Sequence, residues 1–263
     1  MVFNFIGDFG ESVTKIGLVG ASGKLGKAIL EEEKKRNKNN FTHLIARSKI
    51  GEINPLLNQP YTDFSSLIGI DLLIEVASPV ITIPCIDYCK KNKIPLIIGS
   101  TGHTKEQLKQ IEEAAGYIPL FFSQNFSLSL SIFFKMLEAI KPYIDDSCYV
   151  DLIEKHRASK KDAPSGTAKK IAERLNMAYN LGGIDLPRDP KAIQIHPIRA
   201  QDHVIEHLLQ FGFLNEAIEI KHQVYERNAY AKGVSLAIDF IKKQPIGLYQ
   251  MEDLLTNKKG TIL

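Results

Sequence analysis

The chain has 263 residues, 44% of them apolar and 24% charged, with a formal net charge of +3. This is enough apolar material for one large core or two modest ones, and the mixed charge excludes an extended disordered chain. The mild positive balance, with no aromatics interleaved with arginine, excludes a nucleic-acid module, and no apolar run reaches the ~20 residues of a bilayer span.

The first residues, "MVFNFIGDFGESVT", carry Asp8 and Glu11 and no basic leader, so a cytoplasmic location is expected. "KIGLVG" (15–20) reads as a short buried strand ending in glycine, and "KLGKAILEEEKKRN" as a helix. "FTHLIARS" (41–48) and "IDLLIEVAS" (70–78) are strands, and "VITIPCIDYCKKN" is a helix. Cys85 and Cys89 lie one helical turn apart on it. With Cys148 they make an odd, sparse set, which reads as small buried apolar side chains rather than a disulfide framework, and no metal site is expected. "IPLIIGSTG" (94–102) is another strand, Thr104 with Gln107 forms a capping box, and "IPLFFS" (118–123) closes the series. Strands alternating with helices predict an α/β fold whose N-terminal half is a Rossmann-like doubly wound parallel sheet.

The second half has a different grammar. "LSLSIFFKMLEAIKPYI" reads as a long buried helix, and "CYVDLIEKH" alternates with Cys148, Val150, Leu152, Glu154 and His156 on one face. "DAPSGTAKKIAERL" opens a helix near Ser165 to Thr167. "KAIQIHPIRA", "DHVIEHLLQFGF" and "EAIEIKHQVYE" read as successive antiparallel strands, the last two joined by a tight turn at Leu214-Asn215. "AYAKGVSLAIDFIKKQ" is a terminal helix. The expected organisation is a dinucleotide-binding domain over 1–127 and a C-terminal α+β domain over 128–227 with a mixed or antiparallel sheet.

Between the first strand and the first helix stands "GASGKLG": Gly20, Ala21, Ser22, Gly23, Lys24, Leu25 and Gly26. Three glycines at this spacing allow a tight turn, close approach of backbone to a pyrophosphate and close helix packing, with the helix N-terminus aimed at the anion. Dinucleotide binding follows from that context. The second strand ends in Ala46-Arg47-Ser48-Lys49 with no carboxylate to bond the ribose and repel an added phosphate. Arg47 suits a ribose phosphate, so NADPH is expected over NADH.

The run "EKHRASKKDAPSGTA" gathers His156, Arg157, Lys160 and Lys161 beside a helix start whose Gly166 and Thr167 amides and Ser165 and Thr167 hydroxyls suit a carboxylate. His156, Arg157 and Lys160 would hold a second carboxylate and supply a proton, so the expected ligand is a small dicarboxylate. His196, His203, His207 and His222 fall on strands and read as structural; His103 is given no role, and Arg227 reads as a hinge or a substrate contact.

That run resembles the signature of the dihydrodipicolinate reductase (4-hydroxy-tetrahydrodipicolinate reductase) family. "GASGKLG", "GSTG" (99–102), "SQNFS" (123–127) and "HQVYERNAYAKG" (222–233) resemble further family segments in the same order. The resemblance implies NAD(P)H-dependent reduction of a cyclic imine dicarboxylate on the way to diaminopimelate and lysine. It implies His156 as acid/base, Lys160 as proton donor, and Ser165, Gly166 and Thr167 as carboxylate grip. It also implies that Gly99, Ser100 and Thr101 with Ser123, Gln124, Asn125 and Phe126 make backbone contacts to the nicotinamide end, that the terminal helix region 228–263 completes the dinucleotide-binding domain, and that the protein is a homotetramer built through the second domain's sheet. Arg157 departs from the pattern, standing where the family has a second histidine. The competing readings are an NADPH-sensing regulator without turnover, and a related two-domain reductase of another amino or keto acid.

Overall fold

A computed structural model describes residues 13–181, 188–200, 205–226 and 228–256. His203 and Arg227 lie outside the described residues. The chain divides into two compact units, one comprising the residues up to Phe126 with Tyr230–Gln250, the other Ser127–Ala229 with the residues from Met251 on.

The first unit begins β1 (Thr14–Val19), α1 (Lys24–Arg36), β2 (Asn39–Ile45), β3 (Ile53–Asn54), β4 (Gln59–Thr62) and β5 (Leu72–Glu75). It continues with α2 (Pro79–Asn92), β6 (Leu96–Ile98), α3 (Lys105–Ala114) and β7 (Pro119–Phe122). Leu72, Leu73 and Ile74, like Leu96, Ile97 and Ile98, are all fully buried, which is why these strands read as unbroken apolar runs: helices cover both faces of a parallel sheet. Helix α1 ends where Asn37 takes φ 52°, and α3 starts on the expected Thr104–Gln107 capping box. Cys85 and Cys89 are both buried, and burial raises both thiol pKa values, so they serve as core side chains.

The second unit holds α4 (Leu128–Ile140), β8 (Tyr149–Arg157), α5 (Gly166–Leu175), β9 (Ala178–Leu181), β10 (Ala192–Ala200), β11 (Ile205–Phe213) and β12 (Glu216–Val224). Phe133, Phe134 and Leu137 of α4 and Ile171 of α5 pack on Val150, Leu152, Ile193, Leu209 and Phe211 of the sheet. Burial of each such side chain contributes about 1.5–3 kcal/mol. The chain closes with α6 (Asn228–Ile241), β13 (Gly247–Tyr249) and α7 (Asp253–Thr256).

The larger sheet runs β13-β7-β6-β5-β1-β2-β4-β3 and the smaller β12-β11-β8-β10-β9. In the larger, β3 pairs antiparallel with β4 and the other pairs are parallel. Three expectations need correction. Strands β10 and β11 are not a hairpin: β8 lies between them, parallel to β10 and antiparallel to β11, and only β11 and β12 form the expected two-residue hairpin. Helix α4 is buried on one side only, with Ile132 and Met136 exposed, and it gives way to a short 3-10 turn at Pro142. The last long helix stops at Ile241, before Pro245, and β13 then adds to the sheet beside β7.

Candidate active site

In the first unit, the segments expected to bind a dinucleotide meet at the ends of adjacent parallel strands. Gly20 takes φ 92°, and a Cβ there would stand 2.9 Å from the backbone of Val76 and Ala77. A Cβ on Gly26 would stand 2.2 Å from the Gly20 carbonyl oxygen. The 20–26 loop therefore closes this tightly only with glycine at both positions, and the first-turn amides of α1, which lack intrahelical partners, open onto it. That is a cradle for a pyrophosphate, and it fits the group. Ser22 and Leu25 are half-buried, Gly23 and Lys24 exposed, and Ala21 buried.

Gly99 packs against Phe126: a Cβ on Gly99 would meet the Phe126 ring at 2.8 Å. Phe126 also stacks on Phe121 with ring centroids 5.9 Å apart. Ser123 Oγ donates to the Asn125 carbonyl at 2.7 Å, folding the 123–126 segment back on itself, while Gln124 is exposed. A Cβ on Gly233 of α6 would fall 1.7 Å from the Phe126 carbonyl oxygen, so helix backbone lies directly on this segment.

Beneath these segments sits a carboxylate that no local motif marks. Glu75 is fully buried at the end of β5 and accepts from Ala77 N at 2.7 Å, Ser78 N at 3.0 Å, Thr82 Oγ1 at 3.2 Å and Ser100 Oγ. Burial raises its pKa while those donors pull it back. The Glu75 side chain thereby ties the turn after β6 to the turn after β5, leaving Thr101 exposed. Arg47 stands exposed in a 3-10 turn after β2, without an ion-pair partner among the described residues, whereas Lys49 is held by Glu52 at 2.5 Å.

In the second unit, the alternation of β8 buries Glu154 and His156 and leaves Arg157 exposed. Both oxygens of Glu154, a fully buried carboxylate, accept the Ser165 N–H, at 3.2 and 3.1 Å. Ser165 Oγ in turn accepts from Ala168 N at 3.1 Å, capping α5. Hydroxyl and amide of Ser165 are thus committed to fixing the helix start, and the first-turn amides of Gly166 and Thr167 remain for a ligand.

Sheet register brings in residues from strands that the signature does not contain. His207 of β11 stands directly across from Glu154, and Arg199 of β10 across from His156. His207 Nε2 lies 3.3 Å from Ser165 Oγ, and the His156 and His207 rings meet edge to face at 5.4 Å. Burial holds the His156 pKa below its ordinary value against the pull of Glu154, with Lys160 and Arg199 adding to the depression. Burial drives His207 down to about 3. Both rings are neutral at pH 7. Lys160, in the loop after β8, is held by both oxygens of Asp162 at 2.8 and 2.9 Å.

Arg157, expected to clamp the substrate, stands apart from this buried cluster. A strand points successive side chains to opposite faces, so the residue after buried His156 must face away from it. The guanidinium that does reach the cluster belongs to Arg199, whose Nη1 is 3.8 Å from Glu154 Oε1. His207, expected to be structural, is buried against Ser165, and its place beside Glu154 is set by cross-strand pairing that no local signal marks. Glu154, His156 and His207 also offer one ligand atom each within 4.8 Å of one another, a possible metal-ligand set that the sequence reading did not foresee. The nearby cations Arg199 and Lys160, and the engagement of both Glu154 oxygens by Ser165, favour handling of anions and protons there.

Family models described as dihydrodipicolinate reductase, N-terminus, and dihydrodipicolinate reductase, C-terminus, match residues 14–126 and 129–255. A 4-hydroxy-tetrahydrodipicolinate reductase of Buchnera aphidicola subsp. Cinara cedri is 31% identical, over 94% of this chain and 98% of its own length. One from Clostridium tetani is 32% identical over 93% and 98%. Among solved structures, a dipicolinate-bound dihydrodipicolinate reductase from Paenisporosarcina sp. TG-14 superposes with a TM-score of 0.74 at 22% identity, covering 92% of this chain and 99% of that one.

Proposed function

This chain belongs to the dihydrodipicolinate reductase family, and we propose that the second unit's His156, Lys160, Gly166 and Thr167 are the groups with which it binds and protonates its substrate, with Ser165 fixing the helix start that carries the last two. It is an oxidoreductase that reduces 4-hydroxy-tetrahydrodipicolinate in diaminopimelate and lysine biosynthesis, with a pyridine nucleotide as reductant. The observation that carries the residue assignment is the clamp of buried Glu154 on the Ser165 amide. It presents the start of α5 as a rigid anion receptor beside His156 and Lys160.

The Gly166 and Thr167 amides, with the Thr167 hydroxyl, hold one substrate carboxylate at the positive end of the α5 dipole. The glycine loop 20–26 and the segments 99–101 and 123–126 hold the dinucleotide, and Arg47 favours NADPH by pairing with a ribose phosphate. When bound, the nucleotide supplies a hydride. Reduction of a conjugated imine ring leaves negative charge that needs a proton. Burial disfavours a charged His156, so the Lys160 ammonium is the donor, and His156 orients the substrate by hydrogen bonding. A cytoplasmic homotetramer belongs to the same reading. The apolar side chains exposed on the smaller sheet, Tyr149, Tyr179, Leu181, Ile198 and Ile218, support subunit contact there.

The test is Lys160→Ala, assayed by NADPH absorbance with substrate generated in situ by the preceding synthase. Turnover should fall by about two to four orders of magnitude, the range for a positioned proton donor, with the Michaelis constant for NADPH unchanged. Unaltered turnover removes Lys160 from the mechanism.

A further inference from the structure

The loop that carries Lys160 has few internal bonds to hold it. The Lys160 backbone N–H donates to the Arg157 carbonyl at 3.1 Å, and among the described residues its ammonium is tethered only to Asp162, itself exposed. A general acid on so loose a loop is poorly placed, since an error of about 1 Å in position costs on the order of a hundredfold in rate.

Arg199 supplies the missing restraint. Its Nε donates to the Lys160 carbonyl at 3.2 Å and its Nη2 to the Asp162 carbonyl at 2.7 Å. One planar fork therefore grips the backbone of the lysine and of the carboxylate that holds its ammonium. The fork is itself anchored. Arg199 pairs across the sheet with His156, its Nη1 donates to the Ile198 carbonyl at 3.2 Å, and the same group lies 3.8 Å from buried Glu154. Lysine could not reproduce this, having one ammonium on a flexible stem in place of donors at fixed angles.

We propose that Arg199 is a positioning residue of the reductase, fixing the Lys160–Asp162 segment so that the Lys160 ammonium is preset for proton delivery. This rests on the assignment of Lys160 as proton donor. Arg199 acts through Lys160 and takes no proton itself.

The experiment is a double-mutant cycle with chemical rescue, on the full-length enzyme. Arg199→Ala should lower kcat by about 10- to 100-fold, leave the Michaelis constant for NADPH unchanged, and be partly restored by millimolar guanidinium. Arg199→Lys should keep the local charge, lose most of the rate, and gain nothing from guanidinium; it also serves if the alanine variant fails to fold. The double variants with Lys160→Ala should be no slower than Lys160→Ala alone, because a positioning residue has nothing left to position. Additive losses, an Arg199→Ala enzyme at wild-type rate, or a slowed Arg199→Ala enzyme that guanidinium leaves slow would overturn the proposal. If Lys160→Ala itself runs at the wild-type rate, the proton-donor assignment fails first. An impaired Lys160→Ala with an intact Arg199→Ala sinks only the inference.

Discussion

Lowering the pH from 7 to 5 should destabilise this protein through His207, and His207→Gln should remove that part of the effect. The ring is 1% exposed, and burial, with the neighbouring His156, His222 and Lys160, brings its pKa to about 3. In the unfolded chain the pKa returns to about 6.5. The folded value is the lower one, so between the two values the unfolded state binds the extra proton, and stability falls as pH falls through that window. Integrating one proton from pH 7 to 5 gives a loss of about 2 kcal/mol, or about 4–8 °C in Tm for a chain of this size. His103, His156 and His222 are also lowered by burial and add losses of the same sign. Glu75, raised by burial, acts oppositely. Asp63, Glu138, Asp145, Asp151 and Asp162 are lowered, and the stability they contribute is lost mainly below about pH 5, at the edge of the window. Groups remote from His207 contribute equally in wild type and variant, so the difference between the two reports His207 together with its charge coupling to the neighbouring His156 and His222. Glutamine can place an amide near the Nε2 position beside Ser165 Oγ and carries no titratable group. Urea unfolding followed by circular dichroism at both pH values is the assay. The wild type should lose about 2 kcal/mol more than His207→Gln over this interval. Equal losses would mean that His207 is protonated in the folded state at pH 5, and the account of the buried cluster would be wrong.

Two further outcomes follow from the first unit. Arg47→Ala should raise the Michaelis constant for NADPH about tenfold, as expected of a charge-assisted bond at an exposed site, and leave that for NADH nearly unchanged; steady-state kinetics with both nucleotides measures it. Gly233→Ala should cost about 1–3 kcal/mol or more, because its Cβ would overlap the Phe126 carbonyl oxygen, and thermal melts with and without NADPH should show lost stability and weaker nucleotide stabilisation.

The parts of this protein that depend on neighbours in sequence were legible from the sequence. The Thr104–Gln107 cap, the two-residue turn at Leu214-Asn215 and the opening of α5 near Ser165 are set by bonds spanning a few residues, and the alternation of β8 shows directly in its residue types. The signature around His156 and Lys160 made the family readable for the same reason. What only the tertiary structure decided is which strand lies beside which. Insertion of β8 between β10 and β11 puts Arg199 beside His156 and His207 beside Glu154, 43 and 53 residues away along the chain. The same step of one residue along β8 that buries His156 turns Arg157 outward, so the arginine that the signature displays is not the one at the cluster. Glu75 went unread likewise, since its partner Ser100 lies on the turn after a separate strand and nothing local marks a glutamate as buried. Cross-strand register is fixed by packing of the whole sheet against its helices, a cooperative choice that no short stretch of sequence encodes by itself.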